Sequence, residues 1–176
     1  KLGVRDSKKL TDADMLKIGP LLMERIPHSL LIVTPQKYNQ VHEENNLNAI
    51  KAKLHNQAYI NLAKKIELPS FKIIDQFTPE TSYYRYLKND TQIIRGIHFE
   101  TKAEDKYLSV AVGSIISRYG FLKTWEEMEQ KYNLTFPKGS GDKVDILAQE
   151  FVNRYGFNRL GEVAKLHFKN TEKIRV

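Results

Sequence analysis

The chain has 176 residues and a mass of 20.5 kDa, enough for one domain with a sizeable core and little more. With 41% hydrophobic and 28% charged residues it reads as globular, which excludes collagenous, mucin-like and wholly disordered chains. A formal charge of +7, a pI near 9.4 and no cysteine suit a polyanionic partner such as nucleic acid, and exclude a disulfide framework, a thiolate zinc site and a cysteine nucleophile.

No apolar run approaches the roughly 20 residues that a membrane-spanning helix needs, and residues 1–6 lack the apolar core of a secretory signal. A reducing, cytoplasmic home is the expectation from the cysteine count.

After the basic stretch Asp6-Ser7-Lys8-Lys9-Leu10, Thr11 reads as a helix N-cap with Asp14 placed to return the hydrogen bond. Leu10 and Met15 are spaced as a hydrophobic staple across that cap. Gly19-Pro20 predicts a kink or short break in this first helix. The apolar run from Ser29 to Thr34 reads as a buried strand, with a short helix expected after Pro35. Helical spacing then covers Leu47 to Ile66, and Phe71 to Asp75 predicts a second strand. Thr78-Pro79-Glu80 should open a short helix, with the hydroxyl as cap and Pro at the first helical position.

A third strand is expected over Ile97–Thr101, followed by one long helix from about Ala103 to Tyr132 with small residues at its centre. The loop Phe136-Pro137-Lys138-Gly139-Ser140-Gly141 is the clearest break in the chain. Helices over Asp142–Tyr155 and Leu160–Leu166 close the pattern. Alternating strands and helices indicate an α/β fold with a layered sheet. Three strands are few for so many helices, and the sequence reads as though it begins partway into a domain.

Two acids could carry chemistry. Asp75 ends an apolar strand, the sheet edge where open α/β folds bind ligands; it suits metal, phosphate or proton chemistry, or equally the capping of a turn. Glu104 follows the third strand, and if the two strands share a sheet it comes close to Asp75. Two carboxylates so placed would bind Mg²⁺ or Mn²⁺, which prefer oxygen ligands; the alternative is a routine acid favoured by a helix dipole. Lys8 and Lys9, Lys102, and Lys138 with Lys143 could hold phosphates or could be solvated surface. Tyr83, Tyr84 and Tyr86 could stack on sugars or bases, although a helix face packed on the sheet explains them as well. The five histidines show no metal-ligand spacing.

At Asp6-Ser7-Lys8-Lys9-Leu10, Ile73-Ile74-Asp75-Gln76-Phe77 and Lys102-Ala103-Glu104, followed by the small-residue run Ser109 to Arg118, the chain resembles the type 2 ribonucleases H. Glu rather than Asp at 104, the Pro137–Gly141 loop and His167-Phe168-Lys169-Asn170 favour the bacterial ribonuclease HIII branch, and the resemblance covers essentially all 176 residues. It implies a ribonuclease H-like α/β fold, a central mixed sheet flanked by helices with a C-terminal helical segment, over residues 1–176 as one catalytic domain. It also implies endonucleolytic cleavage of RNA in an RNA/DNA hybrid, leaving 5′-phosphate and 3′-hydroxyl ends, by a monomer using two divalent ions, Mg²⁺ or Mn²⁺. Asp75 and Glu104 match two of the family's four metal-binding carboxylates, and Lys8, Lys9, Lys138 and Lys143 are the expected phosphate contacts.

The family's adjacent Asp-Glu pair, its glycine-rich 2′-hydroxyl reader and the upstream substrate domain usual in HIII do not occur in these residues. The expectation is therefore a partial domain, inactive alone. Gly139-Ser140-Gly141-Asp142 stands where ribonuclease HII carries a junction-sensing Tyr, so strict RNA–DNA junction recognition is not expected. Two other readings compete: a non-catalytic nucleic-acid-binding module, and a receiver-like domain phosphorylated on Asp75. The second leaves Lys102-Ala103-Glu104 and the Gly139 loop unexplained.

Overall fold

Apolar side chains recurring at helical spacing dominate the chain, and the computed structural model, which describes residues 9–175, is correspondingly helix-rich. In order it forms α1 (Asp12–Arg25), α2 (Pro35–His42), α3 (Leu47–Ala63), β1 (Lys72–Asp75), α4 (Glu80–Tyr86), β2 (Ile97–Glu100), a 3₁₀ turn (Ala103–Asp105), α5 (Leu108–Tyr132) and α6 (Asp142–Tyr155). Two further 3₁₀ segments, Phe157–Glu162 and Lys169–Lys173, follow. No helix among the described residues is long and apolar enough to cross a membrane.

The chain divides into two compact units. Unit 1 comprises residues 1–32 and 45–123; unit 2 comprises 33–44 and 124–176.

In unit 1, β1 and β2 pair in parallel, with Lys72 opposite Ile97 and Asp75 opposite Glu100. Strand alternation sends Ile74, Ile97 and Phe99 into a core with Ala52 of α3 and Tyr83 and Leu87 of α4. Tyr83 is fully buried there and Tyr84 and Tyr86 pack against the same cluster, so these tyrosines serve the helix–sheet interface rather than a stacking surface. The Tyr59 hydroxyl donates to the Ile73 carbonyl (2.7 Å) and accepts from its N–H (3.1 Å), occupying the backbone edge of β1. A second core joins Met15 and Leu22 of α1 to Ile115, Ile116 and Leu122 of α5, with Leu10 packed against it as the staple predicts. The capping box between Thr11 and Asp14 forms as expected.

In unit 2, Tyr132, Phe151, Val152 and Leu160 make the core. Asn133, in the left-handed region, closes α5, with the Leu134 N–H reaching back to the Glu129 carbonyl. The Asn39 amide ties α2 to the 161–166 segment, donating to the Gly161 and Ala164 carbonyls and accepting from the Leu166 N–H.

Five expectations are corrected. Ser29–Thr34 forms no regular element and is part-buried with Ile32 and Thr34 exposed; among the described residues no strand pairs with it, and a strand exists only through its ladder. The described sheet thus has two strands, both parallel. The short break allowed for at Gly19-Pro20 is absent: helix α1 runs on through Pro20, which is exposed. At α4 the cap position falls on Pro79, with no side-chain cap, because Thr78 is itself buried. The long helix starts at Leu108, not Ala103, since Lys102 turns left-handed (φ 56°) and the chain passes through the 3₁₀ turn first. Where Leu160–Leu166 was expected as a helix, the chain makes a 3₁₀ segment ending at Glu162.

Candidate active site

Asp75 sits on β1 because four consecutive residues there alternate between the core and the opposite face of the sheet. Ile74 enters the core, and Asp75 emerges at the carboxyl end, exposed. The ladder continues one step further, with the Gln76 N–H donating to the Glu100 carbonyl (3.0 Å). One carboxylate oxygen of Asp75, Oδ1, accepts the Ala103 N–H at 2.9 Å. That bond pins the strand end to the turn carrying Glu104.

The turn is tight. The Asp105 N–H donates to the Lys102 carbonyl (3.1 Å), and the N–H groups of Lys106 and Tyr107 both reach the Ala103 carbonyl. Ala103 is fully buried, Glu104 is half-buried and its Oε2 is shielded from water. The expected juxtaposition of Asp75 with the Glu104 segment is therefore present, although Glu104 lies in the 3₁₀ turn rather than in the first turn of α5.

Glu100 faces the same side of the sheet as Asp75, its register partner. Its carboxylate takes donors from Lys106, from the Tyr107 hydroxyl (2.8 Å) and from the His98 ring, whose Nε2 is 3.2 Å away. The Lys106 ammonium, with Tyr107 and His98, holds the Glu100 carboxyl down to about 2. On α3, Lys51 lies 5.4 Å from the Phe77 ring centre and His55 meets the same ring edge-on at 5.1 Å. Burial, then the Lys51 charge, push His55 down, with Asp75 acting in the opposite sense.

Three of the four lysines expected to contact phosphates lie among the described residues. Lys8 falls outside the described residues, Lys9 is exposed in unit 1, and Lys138 and Lys143 are exposed in unit 2. Lys143 borders a shallow cavity of about 330 Å³ with Thr135, Pro137, Ile146, Leu147 and Glu150, which holds neither acid. The whole net charge of +7 falls in unit 1; acidic and basic residues balance in unit 2.

Reading the sequence missed three neighbours of this site: Lys51, His55 and Glu100. For Glu100 a signal existed, since His98 and Glu100 alternate with the apolar Ile97 and Phe99. Lys51 and His55 are spaced for one helix face, but nothing local says which face meets Asp75. Among the described residues no three His, Asp or Glu side chains are grouped to hold a metal.

A sequence model of the ribonuclease HII family matches residues 1–171. Ribonuclease HIII of Streptococcus gordonii is 45% identical over 177 residues, spanning 99% of this chain and 60% of that protein. Ribonuclease HIII of Bacillus mycoides is 42% identical, spanning 98% and 57% respectively. The crystal structure of Bst-RNase HIII in complex with Mn²⁺ superposes with a TM-score of 0.95 at 39% identity, over 98% of this chain and 57% of that one. The chain thus spans under two thirds of the length of these relatives.

Proposed function

The chain belongs to the ribonuclease HII family, and from that premise we propose that the protein hydrolyses the RNA strand of RNA/DNA hybrids endonucleolytically, with Asp75 and Glu104 as metal-binding carboxylates. The carrying observation is the bond from the Ala103 N–H to Asp75 Oδ1, which brings the Glu104 turn to the carboxyl end of β1.

The donor set fits a hard divalent cation. Asp75 has a second carboxylate oxygen besides the one that Ala103 binds, Glu104 adds another carboxylate, and the chain has no cysteine to compete. Mg²⁺ is commonly held by one or two carboxylates with water and substrate phosphate completing its shell, and Mn²⁺ accepts the same donors. Bst-RNase HIII, similar over 98% of this chain, binds Mn²⁺. Two such ions, when bound, would supply an activated water and charge stabilisation for an in-line displacement at phosphorus. The products would carry 5′-phosphate and 3′-hydroxyl ends.

Within this chain, the Ala103 N–H orients Asp75, and the buried flank of Glu104 keeps one side of its carboxylate from water. The net positive charge would draw in the hybrid backbone, with Lys8, Lys9, Lys138 and Lys143 as the proposed phosphate contacts. Recognition should rest on duplex shape and 2′-hydroxyls rather than base sequence. We read residues 1–176 as a partial ribonuclease H-like catalytic domain, which the family match over residues 1–171 supports, and the enzyme as monomeric and cytoplasmic.

The test is cleavage of a labelled RNA/DNA hybrid by the natural-length protein with Mg²⁺ or Mn²⁺. Asp75→Asn and Glu104→Gln should each abolish cutting while hybrid binding survives. Wild-type rates in either variant would refute the assignment, and salt-sensitive binding by the unaltered protein with no cleavage would favour the binding module.

A further inference from the structure

We infer that Glu100 is a positioning residue: its carboxylate clasps the far limb of the 101–107 turn and so sets where Glu104 stands relative to Asp75. The inference rests on the reading of Asp75 and Glu104 as cation ligands.

The turn must join the end of β2 to the start of α5 while holding Lys102 at φ 56°, a conformation that costs a non-glycine residue free energy and persists only where its surroundings enforce it. On its near side Ala103 is anchored to Asp75. On its far side Lys106 and Tyr107 both donate to Glu100, six and seven residues back across the turn. Tyr107 also starts the helix, since its carbonyl accepts the N–H groups of Val110 and Ala111. One carboxylate therefore fixes both the exit of β2 and the entry of α5, and Glu104 lies between those two points.

Glu100 is poorly placed to be a ligand itself. Its side chain is only 22% exposed, one oxygen faces the Lys106 ammonium, and the other takes the Tyr107 hydroxyl beside the His98 ring. A cation would have to displace a positive charge to reach it. Charge-assisted bonds of this kind are strong and directional, which suits holding a neighbour in place. Groups that orient metal ligands typically cost 10–100-fold in metal affinity or activity when removed.

The experiment measures Mn²⁺ binding to the natural-length protein without substrate, by electron paramagnetic resonance of the free ion, beside thermal unfolding and hybrid cleavage across a Mn²⁺ series. Glu100→Ala should weaken Mn²⁺ binding by about tenfold or more. Cleavage should recover toward the wild-type kcat as Mn²⁺ is raised, and KM for the hybrid should stay constant. Glu100→Gln, which can still accept one donor, should lie between Glu100→Ala and wild type. Tyr107→Phe removes a single donor, leaves the carboxylate intact and should weaken binding severalfold; it carries the test if Glu100→Ala does not fold. Mn²⁺ affinity within twofold of wild type in the folded Glu100 variants, or in Tyr107→Phe where those do not fold, overturns the inference. So does a tighter Mn²⁺ site in Tyr107→Phe, which would make Glu100 a ligand. Asp75→Asn is the reference: unchanged Mn²⁺ binding there means that the ligand reading itself has failed.

Discussion

Asn56 is the buried polar residue on which the approach to β2 depends. It is 2% exposed within α3 and forms two bonds to one segment: its Nδ2 donates to the Gln92 carbonyl (2.8 Å) and its Oδ1 accepts the Ile94 N–H (2.9 Å). Asn56→Ala strips both. The half-buried Ile94 N–H then loses its partner, at about 1–3 kcal/mol. The Gln92 carbonyl belongs to an exposed residue that water can serve, so only the net value of a hydrogen bond is lost there, about 0.5–1.5 kcal/mol. Alanine returns roughly 0.5 kcal/mol through helix propensity. The balance is a destabilisation of about 1–4 kcal/mol, large against the 5–15 kcal/mol by which domains are typically stable. Urea unfolding followed by far-UV circular dichroism should show the midpoint falling with an unchanged slope. Asn56→Asp should differ in kind. It keeps an acceptor for Ile94 but turns an ionised oxygen toward the Gln92 carbonyl, which raises the new carboxyl's pKa in the fold above its unfolded value. Its stability is then present at low pH, where the protonated acid can donate, and is lost as pH rises through the raised value. A loss below about 1 kcal/mol for Asn56→Ala would show that the two bonds do not hold the 92–94 segment.

Three further outcomes are expected. Gly19→Ala would place a Cβ 2.5 Å from the Tyr119 ring, so about 1–3 kcal/mol of overpacking should outweigh the helix propensity gained, read as a lower Tm. His55 is pushed down mainly by burial, so the fold prefers it neutral; stability from this source is present above its ordinary value of 6.5 and lost as pH falls below it. His55→Gln should therefore flatten the decline in Tm between pH 7 and 5, and an unchanged decline would count against the burial. In unit 2, Arg159, then Lys131 and Tyr132, hold Glu162 down to about 2, so its contribution is complete above 4.5 and disappears as pH falls toward 2. Glu162→Gln should make acid unfolding less steep in that window, and an identical acid limb would refute the network's role.

Much of this protein was legible one element at a time. The capping box at Thr11, Pro35 opening α2, the bounds of α6 and the strand that delivers Asp75 all depend on neighbours within a few residues, which is the range that caps and periodicity report. Where local signals failed, a distant partner decided. Ser29–Thr34 has the composition of a strand but no ladder among the described residues. Gly19 is required because Tyr119 packs on it from a hundred residues away, and α1 continues through Pro20. The 102–107 turn interrupts an otherwise helical pattern, with Ala103 bonded to Asp75 of the neighbouring strand.

The same division holds at the site. An apolar strand ending in Asp75, and Glu104 following the next strand in Lys102-Ala103-Glu104, were enough to mark the two as candidates. The approach of the Glu104 turn to Asp75 was a tertiary outcome, because it needs the parallel pairing of Asp75 with Glu100 and the bond from Ala103. Which cations and aromatics stand beside them was likewise decided by packing, since a helix face shows its neighbour only once α3 lies on the sheet. A sequence names the groups able to do chemistry, because that ability belongs to single side chains; distance and orientation belong to pairs, and only the folded chain sets them.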